Sequence, residues 1–220
     1  AIILTGEKEN YAAVIDAAGR KVVSGFYLEV PMVYGKRTYD CKENMFVYRA
    51  SDFNIYVYDA AKGQQLACIS SEMSDGECHF SDVKISHDGK KIAAGSDQGL
   101  MIYDIENKQQ LTTDMPPVEK VTWIDDTHVA CEQYQIVQDA MDSSDVWMRQ
   151  KRQYAFSIYD VQGQKVLNTN EANFGYDTDT IGMQMIYPEK SGEKVPEILG
   201  WLRSDLYFID GETGNIEDMI

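Results

Sequence analysis

The chain has 220 residues, 44% of them hydrophobic, which is enough to bury a sizeable core. Its 36 acidic residues outnumber its 20 basic residues, and the formal net charge of −16 disfavours nucleic acid and anionic lipid as main partners. Affinity for phosphate depends on clustered Lys and Arg, and no apolar run is long enough for direct membrane insertion.

The first element predicted along the chain is a short apolar strand that ends in Asp, and it occurs five times. The copies occupy 11–16, 54–59, 100–104, 156–160 and 206–210, and they end in Asp16, Asp59, Asp104, Asp160 and Asp210. Successive aspartates are 43 to 56 residues apart. A period of this size indicates a repeat architecture.

A turn and a second short strand are predicted after each Asp. The residues suited to positive φ in these turns are Gly19, Gly63, Asn107, Gly163 and Gly214. Asp can accept hydrogen bonds from backbone amides at the start of a tight turn, and Gly or Asn supplies the left-handed residue that ends it. Each copy is therefore predicted to form a β-hairpin.

The strands before these turns are apolar on both faces, as at 55–58 and 206–209. A sheet with one solvated face would alternate apolar and polar residues, so both faces of these strands are expected to be covered. We predict an all-β fold, a β-propeller of about five four-stranded blades stacked on one another. A two-layer sandwich is the alternative.

The third repeat predicts all four strands, at 81–86, 91–95, 100–103 and 109–113. It resembles a blade of the WD-repeat β-propellers: His79 matches the His of that family's Gly-His pair, and Asp97 matches its turn Asp. Tyr103 with Asp104 stands in place of the Trp-Asp pair. The resemblance implies that His79 bonds within its own blade.

Other positions of the WD-repeat motif differ in this chain. Cys78 replaces the family's Gly, and Ala93 stands where Ser is usual, so the implied Asp-His-Ser-Trp network is incomplete. Asp52 repeats the offset of Asp97. This chain resembles the quinoprotein-like propellers to nearly the same degree as the WD-repeat propellers, notably at Asp210–Gly214.

The repeats divide the chain into five units within a predicted single domain, 1–220. The first unit, 1–26, lacks an inner strand, and the others are expected at 30–70, 80–114, 118–168 and 180–220. Ring closure usually mixes strands from both termini. We therefore expect part of a larger propeller, completed by other blades or flanking segments of the parent chain. A self-contained five-bladed ring is the alternative.

The largest departure from the repeat is an insertion of the fourth unit, at Gln138–Arg152, between its second and third strands. The insertion passes from acidic to apolar to basic, and its candidate partner-binding residues are Trp147, Met148, Arg149, Lys151 and Arg152. An exposed Trp beside Arg is typical of a protein-binding hot spot. The alternative is a longer hairpin with Trp147 folded back onto the blade.

No catalytic, metal or cofactor motif is found. Asp139, Asp142 and Asp145 lack the Gly and distal Glu of a calcium loop. Asp177 and Asp179 are equally weak evidence for a calcium site. The inner strands carry Lys84, Lys120 and Gln184 rather than acids placed for hydrolysis. We predict no catalytic residue, no metal and no cofactor.

The four cysteines are scattered, which indicates free thiols packed as small apolar groups. Cys68 and Cys78 are the pair to check for a disulfide. The sequence thus predicts a non-catalytic scaffold module that binds a protein or peptide. A sensor or small-ligand-binding ectodomain is the alternative, followed by a propeller hydrolase.

Overall fold

The fold consists of β-strands joined by turns. The computed structural model describes the chain except at residues 1, 6–9, 17, 19–20, 34–37, 74–75, 113–115, 139–150, 168–181, 187–188, 191–192, 195–196, 203–204, 211–215 and 220. Each described strand of regular length belongs to one of five antiparallel sheets, which we number 1 to 5 in chain order.

The strands of each sheet follow one another in chain order. Sheet 1 has three strands, Ile2–Thr5, Tyr11–Asp16 and Lys21–Tyr27. Sheet 2 is Tyr39–Lys42, Met45–Arg49, Ile55–Asp59 and Gln64–Ile69; sheet 3 is Phe80–Ile85, Lys91–Ser96, Gly99–Asp104 and Gln109–Thr112. Sheet 4 is Val118–Trp123, His128–Gln138, Lys151–Asp160 and Lys165–Leu167; sheet 5 is Gly182–Ile186, Glu197–Leu202, Asp205–Asp210 and Ile216–Met219.

Two small hairpins lie outside the sheets, Glu72–Met73 with Gly76–Glu77 and Glu189–Lys190 with Glu193–Lys194. The five predicted units are confirmed, including the three-stranded first one.

Buried residues on alternate faces show that the sheets are stacked. In sheet 2, Ile55 and Val57 pack into a core cluster shared with sheet 3, whereas Tyr56 and Tyr58 pack into a cluster shared with sheet 1. In the same way, the third strand of sheet 3 faces sheet 2 on one side and sheet 4 on the other. Successive residues of a strand point to opposite faces, so a continuous apolar run requires this double covering. The stack excludes the two-layer sandwich.

Aromatic rings fill the space between sheets 1 and 2. The Phe26 and Tyr58 rings stack with centroids 5.2 Å apart, and those of Tyr48 and Tyr56 lie 5.6 Å apart. The Tyr48 hydroxyl donates to the carbonyl oxygen of Val30 at 2.9 Å. Burial raises the pKa of Tyr48. A buried hydroxyl with a partner avoids the penalty for an unpaired polar group, so tyrosine serves as a core residue here.

Three of the repeated aspartates, Asp59, Asp104 and Asp160, begin the turns as predicted. Asp59 Oδ1 accepts from the amide of Ala61 at 3.0 Å, and Asp160 Oδ1 accepts from that of Gln162 at 2.9 Å. Gly63 and Gly163 have φ of 63° and 78°. Gly19 and Gly214 lie outside the described residues.

The turn of sheet 3 corrects one prediction. Its left-handed residue is Lys108, with φ of 54°, and not Asn107. Asn107 instead donates from its backbone amide and side chain to the Asp104 carboxylate, at 2.9 and 3.1 Å. The positive φ of this turn therefore falls four residues after the Asp, the same offset as at Gly63 in sheet 2.

Candidate functional site

The first strands of neighbouring sheets run side by side in the same direction. Near their starts, Ser81 Oγ donates to the carbonyl oxygen of Val118 at 2.6 Å. Near their ends, Trp123 Nε1 donates to the carbonyl oxygen of Lys84 at 3.1 Å. Equivalent loops of sheets 2 to 4 therefore lie at the same edge of the stack.

Two edges result from this arrangement, and we name them by their loops. The insertion edge carries the ends of the hairpins formed by second and third strands: residues 51–54, residues 97–98 and, in sheet 4, the paired residues Gln138 and Lys151. The turn edge carries the connections between first and second strands, such as 86–90 and 124–127, and those between third and outer strands, such as 105–108.

Carboxylates on the first strands join each sheet to the next. Asp40 Oδ2 accepts from the amide of Ile85 at 2.9 Å, and Asp82 Oδ2 accepts from the amide of Val121 at 3.1 Å. Asp82 is only 3% exposed. These acids therefore satisfy buried backbone donors at the seams between sheets.

The first-strand lysines are engaged with carboxylates. Lys84 Nζ lies 3.2 Å from Asp82 Oδ1, and Lys120 Nζ lies 3.2 Å from Glu132 Oε2. Glu132 is fully buried. Each of these two pairs lies within one sheet and neutralises a buried carboxylate, because a buried charge is tolerated only when paired.

The second and third strands of sheet 4 form a hairpin that extends past its neighbours. They contain 11 and 10 residues, whereas the matching strands of sheet 3 contain 6 each. Pairing continues from Tyr134 with Tyr154 to Gln138 with Lys151. We call residues 134–138 and 151–154 the arm; at about 3.4 Å per residue it reaches about 17 Å beyond the sheet.

Among the described residues, the arm is joined to the stack at its base. The Tyr134 amide donates to the carbonyl oxygen of Pro117 at 3.0 Å. The described outer strand of sheet 4, Lys165–Leu167, pairs with Ile158 and Tyr159, below the arm. In the described part of sheet 4, the arm is therefore a two-stranded ribbon.

The candidate partner-binding residues divide between the arm and the segment beyond it. Lys151 and Arg152 lie on the third strand, so the predicted insertion is partly strand, with Arg152 paired to Ile136. Trp147, Met148 and Arg149 lie outside the described residues.

The candidate metal-binding aspartates cannot be placed, since Asp139, Asp142, Asp145, Asp177 and Asp179 all lie outside the described residues. The described residues bring together no three metal-ligating side chains.

An aromatic pair that sequence analysis missed lies on the insertion edge, at the seam of sheets 2 and 3. The ring of Phe53, 42% exposed, meets His79 edge-on with centroids 5.6 Å apart. Phe53 has φ of 66°, a conformation that costs a bulky residue about 1–2 kcal/mol. The available signal was a large aromatic residue directly after the turn residue Asp52.

Comparison with known proteins gives a likeness of structure alone, since no family model and no curated sequence matches the chain. The fold is similar to the WD40 domain of Toxoplasma gondii coronin, with a TM-score of 0.61 and 15% identity over 96% of this chain and 53% of that one. The C-terminal WD40 domain of Sif2 gives a TM-score of 0.54 and 13% identity over 100% of this chain and 57% of that one. A chain of the mitotic checkpoint complex gives a TM-score of 0.53 and 14% identity over 87% of this chain and 53% of that one.

The chain has the fold of a WD40-type β-propeller. It spans about half the length of the solved chains that it matches. Its sheets 1 to 5 correspond to blades of the propeller, of which the first has three strands.

The WD-repeat motif of this propeller uses its residues differently from the implied network. His79 bonds within its own blade through its backbone amide, which donates to Asp97 Oδ1 at 2.9 Å. The imidazole packs against Phe53 of the neighbouring sheet instead. Ala93 and Tyr103 are buried between the sheets, so apolar packing occupies the place of the Ser and Trp bonds.

The cysteines of the propeller are free, including Cys68 and Cys78. Cys78 and Cys131 are buried as expected, whereas Cys41 and Cys68 are exposed, which corrects the prediction that the thiols pack in the core. Both exposed thiols lie on the first and outer strands of sheet 2, directly opposite Phe46 and Tyr56, on the face toward sheet 1. No helix capable of crossing a membrane occurs among the described residues.

Proposed function

We propose that this propeller is a protein-binding scaffold and that the arm of sheet 4 is its contact with a partner. The observation that carries the proposal is the extension of this hairpin beyond its blade, on the insertion edge. The described blades supply a rigid stack of sheets, and loops or arms on rigid scaffolds commonly carry binding function.

The physical reason is the poor stability of an isolated ribbon. A two-stranded hairpin is marginal in water unless a third strand or another surface packs on it. The edge of a two-stranded hairpin can also pair with a strand from another chain. A partner that docks along the arm therefore gains main-chain hydrogen bonds and stabilises the arm at the same time.

The composition of the arm and its tip suits protein recognition. Trp147, Met148 and Arg149 lie in the sequence between the two strands of the arm, and Lys151 and Arg152 lie on the arm itself. Trp and Arg are enriched among residues that dominate binding energy at interfaces. These cations also contrast with the net charge of −16, so they offer a local basic site on an acidic chain.

The test removes the arm without disturbing the blade. Residues 135–153 are replaced by Asn-Gly, which joins the paired residues Tyr134 and Tyr154 through a two-residue hairpin turn. Affinity capture from an extract of the source organism identifies a partner, and the purified partner is then titrated calorimetrically against both chains. We expect the shortened chain to keep its thermal unfolding midpoint and to lose at least tenfold in affinity.

Point variants locate the contact within the arm. Trp147→Ala with Met148→Ala is expected to weaken binding by about 2 kcal/mol or more, the scale of a hot spot. Lys151→Glu with Arg152→Glu tests the basic part, and Lys90→Glu with Lys108→Glu is the control that reverses as many charges on the turn edge. Equal affinity of the shortened and native chains, or equal loss from both charge reversals, would exclude the arm as the contact.

A further inference from the structure

A second surface on the insertion edge has the chemistry of a site for a cationic side chain. It consists of Asp52, Phe53, His79 and Asp97, which we call the seam patch because it bridges sheets 2 and 3. We propose that the seam patch binds an Arg- or Lys-containing segment of a partner protein, with the cationic group against the Phe53 ring and between the two carboxylates.

The geometry of the Phe53 turn is the first support. The Phe53 amide donates to the carbonyl oxygen of Ala50 at 3.0 Å, and Asp52 accepts from the amide of Asn54 at 3.2 Å. These bonds hold a bulky residue at positive φ, where Gly or Asn fits with less strain. Strain that the surroundings enforce is typical of functional positions, and here it presents a ring to solvent.

The arrangement around the ring is the second support. The edge of one ring meets the face of the other at an interplanar angle of 79°, which fixes the orientation of Phe53 and His79. Asp97 is tied to His79 through the backbone bond, and Asp52 accepts from the Tyr56 hydroxyl at 2.8 Å. Both carboxylates are therefore positioned beside the aromatic pair by groups that carry no formal positive charge.

Charge complementarity selects the occupant. No ion pair joins Asp52 or Asp97 to a cation within the described part of the chain. Arg49 is the cation that crosses the same seam, and its guanidinium donates to the carbonyl oxygen of Phe80. Its described bond is therefore to the backbone and not to either carboxylate of the seam patch. An exposed aromatic face attracts Arg and Lys, and the net charge of −16 draws basic segments toward the chain.

The three histidines of the chain provide a site-specific readout. His79 lies in the seam patch, whereas His87 and His128 adjoin loops of the turn edge. The histidines of the chain are isotope-labelled, and their ring signals are followed by nuclear magnetic resonance while a peptide of four Arg-Gly-Ser repeats is added. The salt concentration is about 0.15 M, where surface charges act over roughly 8 Å. We expect the ring signals of His79 alone to shift, and to saturate. A peptide with Gln in place of Arg is expected to leave all three unchanged.

Variants of the ring and the carboxylate test the contact itself. Phe53→Leu is expected to weaken peptide binding about two- to fivefold, the range of an exposed cation–aromatic contact. Asp97→Asn is expected to weaken it to a similar degree. Glu106→Gln removes the same charge from the turn edge and is expected to change nothing.

Phe53→Asn separates binding from folding. Asn tolerates the left-handed conformation, so this variant is expected to unfold at the same or a higher temperature and still lose peptide affinity. The chain without the arm is expected to bind the peptide normally, which keeps this result independent of the proposal for the arm. Equal shifts of all three histidines, or native affinity in Phe53→Leu or Phe53→Asn, would overturn the proposal.

Discussion

Single aspartates define the turns of this propeller, and their ionisation links the turns to pH. Hydrogen bonds from the backbone amide and side chain of Asn107 hold the pKa of Asp104 below its usual value. For Asp59, the bond from Lys62 is the main cause of a lowered pKa. A carboxyl with a depressed pKa stabilises the folded state above its unfolded pKa of about 3.9, and this contribution disappears as pH falls through the folded pKa.

Asp104→Ala tests this dependence. We expect a loss of about 1 kcal/mol in the free energy of unfolding at pH 7, since the bonds to Asn107 are removed. The difference from the native chain should shrink as pH falls below about 4, because the native carboxyl becomes protonated. Urea unfolding of both chains from pH 7 to below about 4 measures the difference in their free energies of unfolding. A constant difference at all pH values would contradict the role assigned to the charge.

At the scale of elements, buried ions join the second strand of sheet 4 to its first strand. The Lys120 ammonium and Glu132 carboxylate are both largely buried, and each belongs to a strand whose other residues are mostly apolar. A buried pair contributes little over an apolar pair of equal volume, yet the loss of one partner leaves an uncompensated charge. Its importance therefore shows only when the pair is broken.

The prediction for this pair is strongly non-additive. Glu132→Leu alone is expected to destabilise the chain by about 3–5 kcal/mol, whereas Lys120→Met with Glu132→Leu should recover most of that loss. Chemical denaturation of both single variants and the double variant completes the cycle. Additive losses would show that the two groups act independently.

At the scale of the whole molecule, sheets 1 to 4 pack one against the next in a row. Gly95 shows how closely sheets 3 and 4 approach each other. A Cβ atom at this position would lie 2.8 Å from both Cγ1 and the carbonyl oxygen of Val118. Stability in such stacks is close to a sum of local sheet terms and neighbour contacts. A substitution that destabilises one seam should therefore destabilise the adjoining sheets more than distant ones.

Gly95→Ala tests this picture by hydrogen exchange. The methyl group is expected to cost about 1–3 kcal/mol through overpacking, and to speed exchange at the Val121 amide, which bonds across the seam. The amides of Val47 and Val57 in sheet 2 should change less. Gly63→Ala is the control at the seam of sheets 1 and 2, since a Cβ there would lie 2.8 Å from the Cβ of Phe26. Equal acceleration in sheets 2 and 4 would contradict the stacked model.

The sequence alone determined the repeat, the strand order and the double covering of the sheets. These follow from local rules: Asp and Gly chemistry marks turns, and continuous apolar runs such as Ile55–Tyr58 require two covered faces. The position of the insertion was also predicted, although its strands are longer than expected. That the chain forms one domain stays a prediction.

The tertiary structure alone decided the use of particular side chains. The turn at Lys108, the backbone bond of His79 and the exposed thiols of Cys41 and Cys68 depend on neighbours that local patterns do not specify. Phe53 is the clearest case, because its partner His79 lies 26 residues away along the chain, in the next sheet. Local sequence specifies backbone geometry, whereas contacts between sheets are set by how the whole stack packs.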